Sequence, residues 1–69
     1  MRGRITSVVS DKNTLDERDG MRVTMKTWGK SYSIWVTEER AMAEAYKVGD
    51  TIQMDVAQNG NVLGIVGPR

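Results

Sequence analysis

Two tryptophans and three basic side chains lie close together near the middle of this chain. Trp28 and Trp35 alternate there with Arg22, Lys26 and Lys30, and residues 21–36 contain no acid. Indole rings stack on nucleobases with any base identity, at about 1–3 kcal/mol per base, and cations attract phosphates. These residue types therefore indicate a surface for a ligand that is both planar and anionic.

Catalytic chemistry has little support in the composition. The 69 residues include no histidine and no cysteine, which removes imidazole bases, thiolate nucleophiles and zinc–thiolate sites. The sequence has no glycine-rich phosphate loop, and Asp50 and Asp55 fit a turn and an outward strand position. We therefore predict a non-enzymatic protein with no catalytic residue, no metal, no cofactor and no small-molecule substrate.

An acid-rich stretch over residues 11–20 invites comparison with a calcium-binding loop. Its fifth position is Leu15, its sixth is Asp16 and its twelfth is Arg22, where such a loop needs a ligand, a glycine and a glutamate. We therefore predict a long solvated loop over residues 10–20. Its net negative charge opposes a phosphate backbone, so ligand contacts from it would come from Lys12, Asn13 or Arg18.

Length and composition set the class of protein. The chain has 69 residues, 39% hydrophobic and 28% charged, with a net charge of +1, which predicts one folded domain over residues 1–69. No apolar run approaches the roughly 18 residues of a membrane span, and the first residues lack a secretory pattern. We expect no membrane partner and a cytoplasmic location, or the host cytoplasm if the protein is viral. So small a core predicts marginal stability alone, or a possible homo-oligomer.

Five short segments have the composition and alternation of β-strands. They are residues 3–9, 21–27, 31–36, 51–56 and 62–66. A short helix is predicted between the third and fourth strands, with Thr37 as its N-cap and Gly49 as its left-handed C′ residue. Asn59 and Gly60 predict a tight turn before the last strand, and Gly64 predicts a bend or a close backbone approach within it.

The central two strands predict a hairpin with two distinct faces. If Gly29 and Lys30 form a two-residue loop, Trp28 pairs with Ser31 and Val23 pairs with Val36. The core face then carries Met21, Val23, Met25, Tyr32, Ile34 and Val36. The opposite face carries Arg22, Lys26, Trp28, Ser33 and Trp35. A one-residue slip would destroy both faces, so alternation favours this hairpin.

This order of elements predicts an all-β fold with one short helix, arranged as a small closed barrel. The stretch from Tyr46 to Ile52 (Tyr-Lys-Val-Gly-Asp-Thr-Ile) resembles the helix exit and fourth strand of S1-type OB domains and of a small bacterial initiation factor. Residues 3–8 resemble their first strand. The resemblance implies a five-stranded Greek-key OB-fold barrel in the order β1-β2-β3-α-β4-β5. Phage or plasmid single-strand-binding proteins of OB type fit equally well.

In an OB barrel, oligonucleotides bind across strands two and three. We therefore expect single-stranded nucleic acid as the partner, bound by base stacking and phosphate contacts. DNA is slightly favoured over RNA, because the aromatic residues and histidine on the S1 binding face are absent here. The predicted nucleic-acid-binding residues are Arg4, Arg22, Lys26, Trp28, Lys30, Ser33 and Trp35.

A second interpretation remains open from the residues alone. The tryptophans could pack on the helix or at a subunit interface, and the basic residues could form an ordinary solvated strand face. Exposed tryptophan beside arginine is also typical of protein-binding hot spots. The alternative function is therefore a protein–protein interaction or assembly module that uses the same side chains.

Overall fold

Five antiparallel strands and one short helix make up the described part of the chain. A computed structural model describes residues 1–67; the last two residues of the predicted domain, Pro68 and Arg69, lie outside the described residues. The elements are β1 (Arg2–Lys12), β2 (Asp19–Thr27), β3 (Lys30–Thr37), α1 (Glu38–Glu44), β4 (Thr51–Val56) and β5 (Val62–Val66). The predicted order of strands and the position of the helix between β3 and β4 are confirmed. None of the described residues forms a helix long and apolar enough to cross a membrane.

The strands form one sheet in the order β3-β2-β1-β4-β5. Each neighbouring pair is antiparallel. The predicted closed barrel is not what the described residues show, because no hydrogen-bonded ladder joins β3 to β5. These two strands nevertheless approach within 8 Å between Cα atoms. We call this gap between β3 and β5 the seam.

The core lies on the inner face of the curved sheet. Its buried side chains are Ile5, Val23, Met25, Val36, Tyr46, Ile52, Met54 and Ile65. The predicted inward side of the hairpin is confirmed: Val23 and Met25 are 0% exposed, and Ile34 packs half-buried against the core. Burial of these alternate side chains is what fixes the sidedness of each strand.

The register of the β2–β3 hairpin differs from the predicted one. Thr27 pairs with Lys30 and Val23 with Ile34, so the two-residue turn is Trp28–Gly29 rather than Gly29–Lys30. Both turn residues have positive φ angles, 48° for Trp28 and 77° for Gly29, as in the type I′ turns that match strand twist. The pairing is displaced by two residues. Because side chains alternate with a period of two, the residues that remain in the strands keep their faces, and Trp28 moves from the outward face into the turn.

The helix begins where predicted and ends earlier. The Thr37 hydroxyl accepts a hydrogen bond from the Arg40 amide at 3.2 Å, which confirms the N-cap. The helix ends at Ala45, which is left-handed at φ 51°, and not at Gly49. The early end lets Tyr46 turn into the core, where it is 8% exposed. Gly49 does have a positive φ, but it lies in a turn that follows the helix. There its backbone amide donates to the Ile5 carbonyl oxygen at 2.8 Å.

Two strands contain irregularities that redirect side chains. The β1–β2 register shifts between Ile5 and Ser7. The β4–β5 register shifts where Asp55 pairs with Gly64 and Val56 with Val62, which leaves Leu63 unpaired as a bulge. The irregularity predicted at Gly64 is therefore found at the preceding residue, Leu63.

Strand β1 also runs on to Lys12, so part of the predicted loop over residues 10–20 is strand.

Candidate nucleic-acid interface

The outer surfaces of β1, β2 and β3 form a continuous grid of side chains. Residues opposite one another on antiparallel strands share a face, so the observed pairing arranges them in rows, and three successive rows contain the predicted residues of this face. The rows are Arg4–Lys26–Ser31, Ser7–Thr24–Ser33 and Val9–Arg22–Trp35. We call these nine residues the outer face. Five of the seven predicted binding residues belong to it: Arg4, Arg22, Lys26, Ser33 and Trp35.

The first row places two like charges side by side. Arg4 and Lys26 are direct cross-strand partners, and both side chains are exposed. Within residues 1–67 the one ion pair joins two other residues, so neither cation has a carboxylate partner in the described chain. Like charges directly opposite destabilise a sheet. A bound anion would remove that repulsion.

The third row contains a restrained arginine. The Arg22 Nε atom donates to the Asp11 carboxylate at 2.8 Å, and Nη1 donates to the Ser33 hydroxyl at 3.4 Å. Both contacts are solvent-exposed, where ion pairs contribute little to stability. Their effect is to tether the guanidinium between Asp11 on β1 and Ser33 on β3, in the row that contains Trp35.

Trp35 lies across the outer face and is half-buried. Its indole Nε1 donates to the Asp11 carbonyl oxygen at 2.9 Å. A Cβ atom built on Gly20 would lie 2.4 Å from two ring atoms, so only glycine leaves room for the ring there. A cleft of about 320 Å³ opens beside the ring, lined by Trp35, Arg22 and residues 11–14.

Trp28 and Lys30 do not lie where the sequence placed them. The register change moves Trp28 from a strand position opposite Ser31 to the hairpin tip, where it is 97% exposed. Lys30 begins β3 opposite Thr27. The outer face thus holds one of the two predicted aromatic platforms, and the other stands at the end of the sheet.

Asp11 and Gly20 are two site residues that the sequence did not identify. Asp11 was assigned to the solvated loop, yet it continues the alternation of β1 beyond Val9. That continuation was the available signal. Of the loop residues expected to approach a ligand, Lys12 and Asn13 line the cleft beside Trp35, whereas Arg18 does not.

Comparison with known proteins assigns this chain to no family. The chain matches no protein-family model, no curated protein and no solved structure. What the outer face can bind must follow from its own geometry: exposed cations in one row, and a tethered indole beside an arginine in another.

Proposed function

We propose that this chain is a non-enzymatic domain that binds single-stranded nucleic acid on its outer face, with DNA slightly favoured over RNA. The observation that carries the proposal is the first row, where Arg4 and Lys26 face each other without a carboxylate partner among the described residues. Such a pair is stabilised when an anion bridges it. The ring of Trp35, two rows away, supplies the aromatic surface that a simple anion would not need.

We infer that the architecture is the Greek-key OB barrel, with the seam as its partly open side. The antiparallel order, the helix between β3 and β4 and the approach of β3 to β5 support this inference. OB folds bind oligonucleotides on this face, beside the loop that joins their first two strands. Here that loop, residues 13–18, stands next to the cleft at Trp35.

The binding mode follows from the rows. Successive rows are about 6.6 Å apart, since a strand rises about 3.3 Å per residue. A base stacks on Trp35 in the cleft, while phosphates contact Arg4 and Lys26. The hydroxyls of Ser33 and Thr24 lie between these two positions and can contact the nucleic-acid backbone. Lys30 pairs with Thr27, on the side of the hairpin that carries Met25, and takes no part in this track. Stacking and phosphate contacts do not read base identity, so this face binds with little sequence preference.

A protein-binding role is the second candidate. The third row places Val9, which is 51% exposed, directly beside Arg22 and Trp35. An exposed aliphatic side chain next to arginine and tryptophan suits a protein hot spot. The two roles differ in their response to salt, because phosphate contacts release counterions and an apolar interface does not.

The test is a fluorescence titration with oligo-dT and oligo-U in the Trp28→Phe variant, so that Trp35 alone reports. Two cations, Arg4 and Lys26, predict a log–log salt slope near −1.4, at about −0.7 per phosphate contact. We expect quenching at low salt and an affinity about sevenfold weaker at 200 mM than at 50 mM salt. Lys26→Gln should lower both the affinity and the slope. Lys47→Gln, an equal loss of charge away from the outer face, should change neither.

Absence of quenching by both oligonucleotides at low salt contradicts the proposal. If a protein ligand binds the same face with an affinity that salt leaves unchanged, the second candidate replaces it.

A further inference from the structure

A second cleft lies at the end of the sheet, away from Trp35. It measures about 660 Å³ and is bordered by the hairpin tip, the start of β1 and the β4–β5 turn region. Trp28 and Leu63 line it together with Arg2 and Asp55. The proposed function makes no use of these four residues.

Two backbone irregularities expose apolar side chains at this cleft. Trp28 is left-handed, a conformation that costs a bulky residue about 1–2 kcal/mol. Leu63 is the bulged residue of β5. As a result Trp28 is 97% exposed and Leu63 72% exposed. Neither side chain contributes to the core, so the fold places two large apolar groups in water at one site.

The polar groups of the cleft indicate which ligand it suits. Arg2 and Asp55 both line it, and they form no ion pair with each other. A carboxylate accepts two parallel N–H bonds, and guanine is the base that presents two adjacent donors, N1–H and the N2 amino group, on its pairing edge. Arg2 supplies a cation for the phosphate of the same nucleotide.

We propose that this cleft binds an unpaired guanine. Trp28 stacks on the base, Leu63 covers its edge, and Asp55 accepts from N1 and N2. Arg2 and Arg4 lie two residues apart on the same side of β1, so a strand on the outer face can continue into the cleft. The inference rests on the proposed function and adds a base-specific position to it.

The experiment follows the two indole N–H signals of the protein by ¹H–¹⁵N NMR, assigned with the Trp28→Phe variant. The probes are an oligo-dT and the same oligonucleotide with one dG, one inosine or one dA. We expect the dG probe to shift the Trp28 signal and to bind about tenfold more tightly than the inosine probe, which lacks the N2 amino group. Asp55→Asn should abolish this difference and leave oligo-dT binding unreduced.

The two proposals fail in different ways. If oligonucleotides shift the Trp35 signal and leave Trp28 unmoved, the guanine site is wrong and the outer face stands. Equal Trp28 shifts with dG, inosine and dA, or a preference that Asp55→Asn retains, also overturn the guanine site. So does a Trp28 shift that depends on protein concentration alone, which would identify a contact between two copies of the chain. If neither indole responds, both proposals fall.

Discussion

Asp11 is the residue that organises the aromatic part of the outer face. Its carbonyl oxygen accepts from the Trp35 indole at 2.9 Å, and its carboxylate accepts from Arg22 at 2.8 Å. The first contact orients the ring. The second neutralises the arginine that would otherwise pair with a phosphate. One residue therefore positions the stacking surface and limits the charge beside it.

We expect Asp11→Asn to strengthen nucleic-acid binding. The backbone carbonyl that holds Trp35 remains, whereas Arg22 gains a net charge free to pair with a phosphate. Oligo-dT affinity at 50 mM salt should rise about threefold or more, and the salt slope should steepen by about 0.7. Stability should change by less than about 1 kcal/mol, since the lost ion pair is exposed.

Glu39→Gln is the matched control for Asp11→Asn, because it makes the same change in net charge on the exposed side of α1. If both variants strengthen binding equally, net charge and not the release of Arg22 is the cause. Unchanged binding in Asp11→Asn would exclude Arg22 as a phosphate ligand.

At the scale of elements, sidedness was predictable and register was not. Alternation correctly assigned Val23 and Met25 inward and Arg22 and Lys26 outward, because burial imposes a period of two. The same period leaves a two-residue displacement of the pairing undetected. The choice between the turns Trp28–Gly29 and Gly29–Lys30 thus depended on backbone geometry, and a tryptophan in a left-handed position has too low a propensity to be expected there.

The ends of elements escaped prediction for a related reason. Ala45 and Tyr46 suit a helix by composition, but burying the Tyr46 side chain in the core stabilises the fold more than one further helical turn would. Asp11 and Lys12 have low strand propensity, yet β1 carries them because β2 offers pairing partners as far as Asp19. In both cases a tertiary contact overrides the local preference.

The turn at Trp28 predicts a gain in stability on substitution. Asparagine tolerates the left-handed conformation far better than tryptophan, and Asn-Gly is the preferred type I′ pair. We expect Trp28→Asn to raise the free energy of unfolding by about 1 kcal/mol, or the Tm by about 4–8 °C for a domain of this size. Thermal unfolding followed by circular dichroism measures this.

Trp28→Ala is the matched control, since it removes the same exposed ring and keeps the unfavourable φ angle. It should leave the stability within about 0.5 kcal/mol of the parent. Equal gains from both substitutions would show that exposure of the ring, and not its backbone conformation, carries the cost. A stable Trp28→Asn variant that no longer distinguishes dG from dT would show that the tryptophan is retained for binding.

At the scale of the whole molecule, β3 and β5 approach each other at the seam without the hydrogen-bonded ladder that would close the sheet. The Arg40 Nη2 atom crosses from α1 to donate to the Ile65 carbonyl of β5 at 2.6 Å. The same guanidinium lies near Tyr46, whose side-chain oxygen is buried without a hydrogen-bond partner among the described residues. Burial raises the pKa of Tyr46 above its ordinary value of 10.0, and the charge of Arg40 acts in the opposite direction.

The pKa of Tyr46 makes stability depend on alkaline pH. A raised folded-state pKa means that the folded chain holds its phenolic proton more strongly than the unfolded chain does. The contribution of Tyr46 to the free energy of unfolding is therefore complete below pH 10, the ordinary pKa of tyrosine. It is lost as the pH rises from there through the folded-state pKa. Strand alternation indicates which strands pair, but it carries no signal for a side-chain contact such as that of Arg40 with β5, so this contact could not be predicted from the sequence.

Arg40→Met tests whether that bridge holds the seam. Methionine keeps much of the aliphatic length, but it leaves the part-buried Ile65 carbonyl without its charged donor, so we expect a loss of about 1.5–3 kcal/mol of unfolding free energy. Amide hydrogen exchange should quicken first in β5 and β3, and the alkaline titration of Tyr46 should move upward as the offsetting charge disappears. Arg18→Met, in the exposed loop between β1 and β2, should leave stability, exchange and titration unchanged. An Arg40→Met variant as stable as the parent, with protected β5 amides, would mean that apolar packing alone holds β5 against β3.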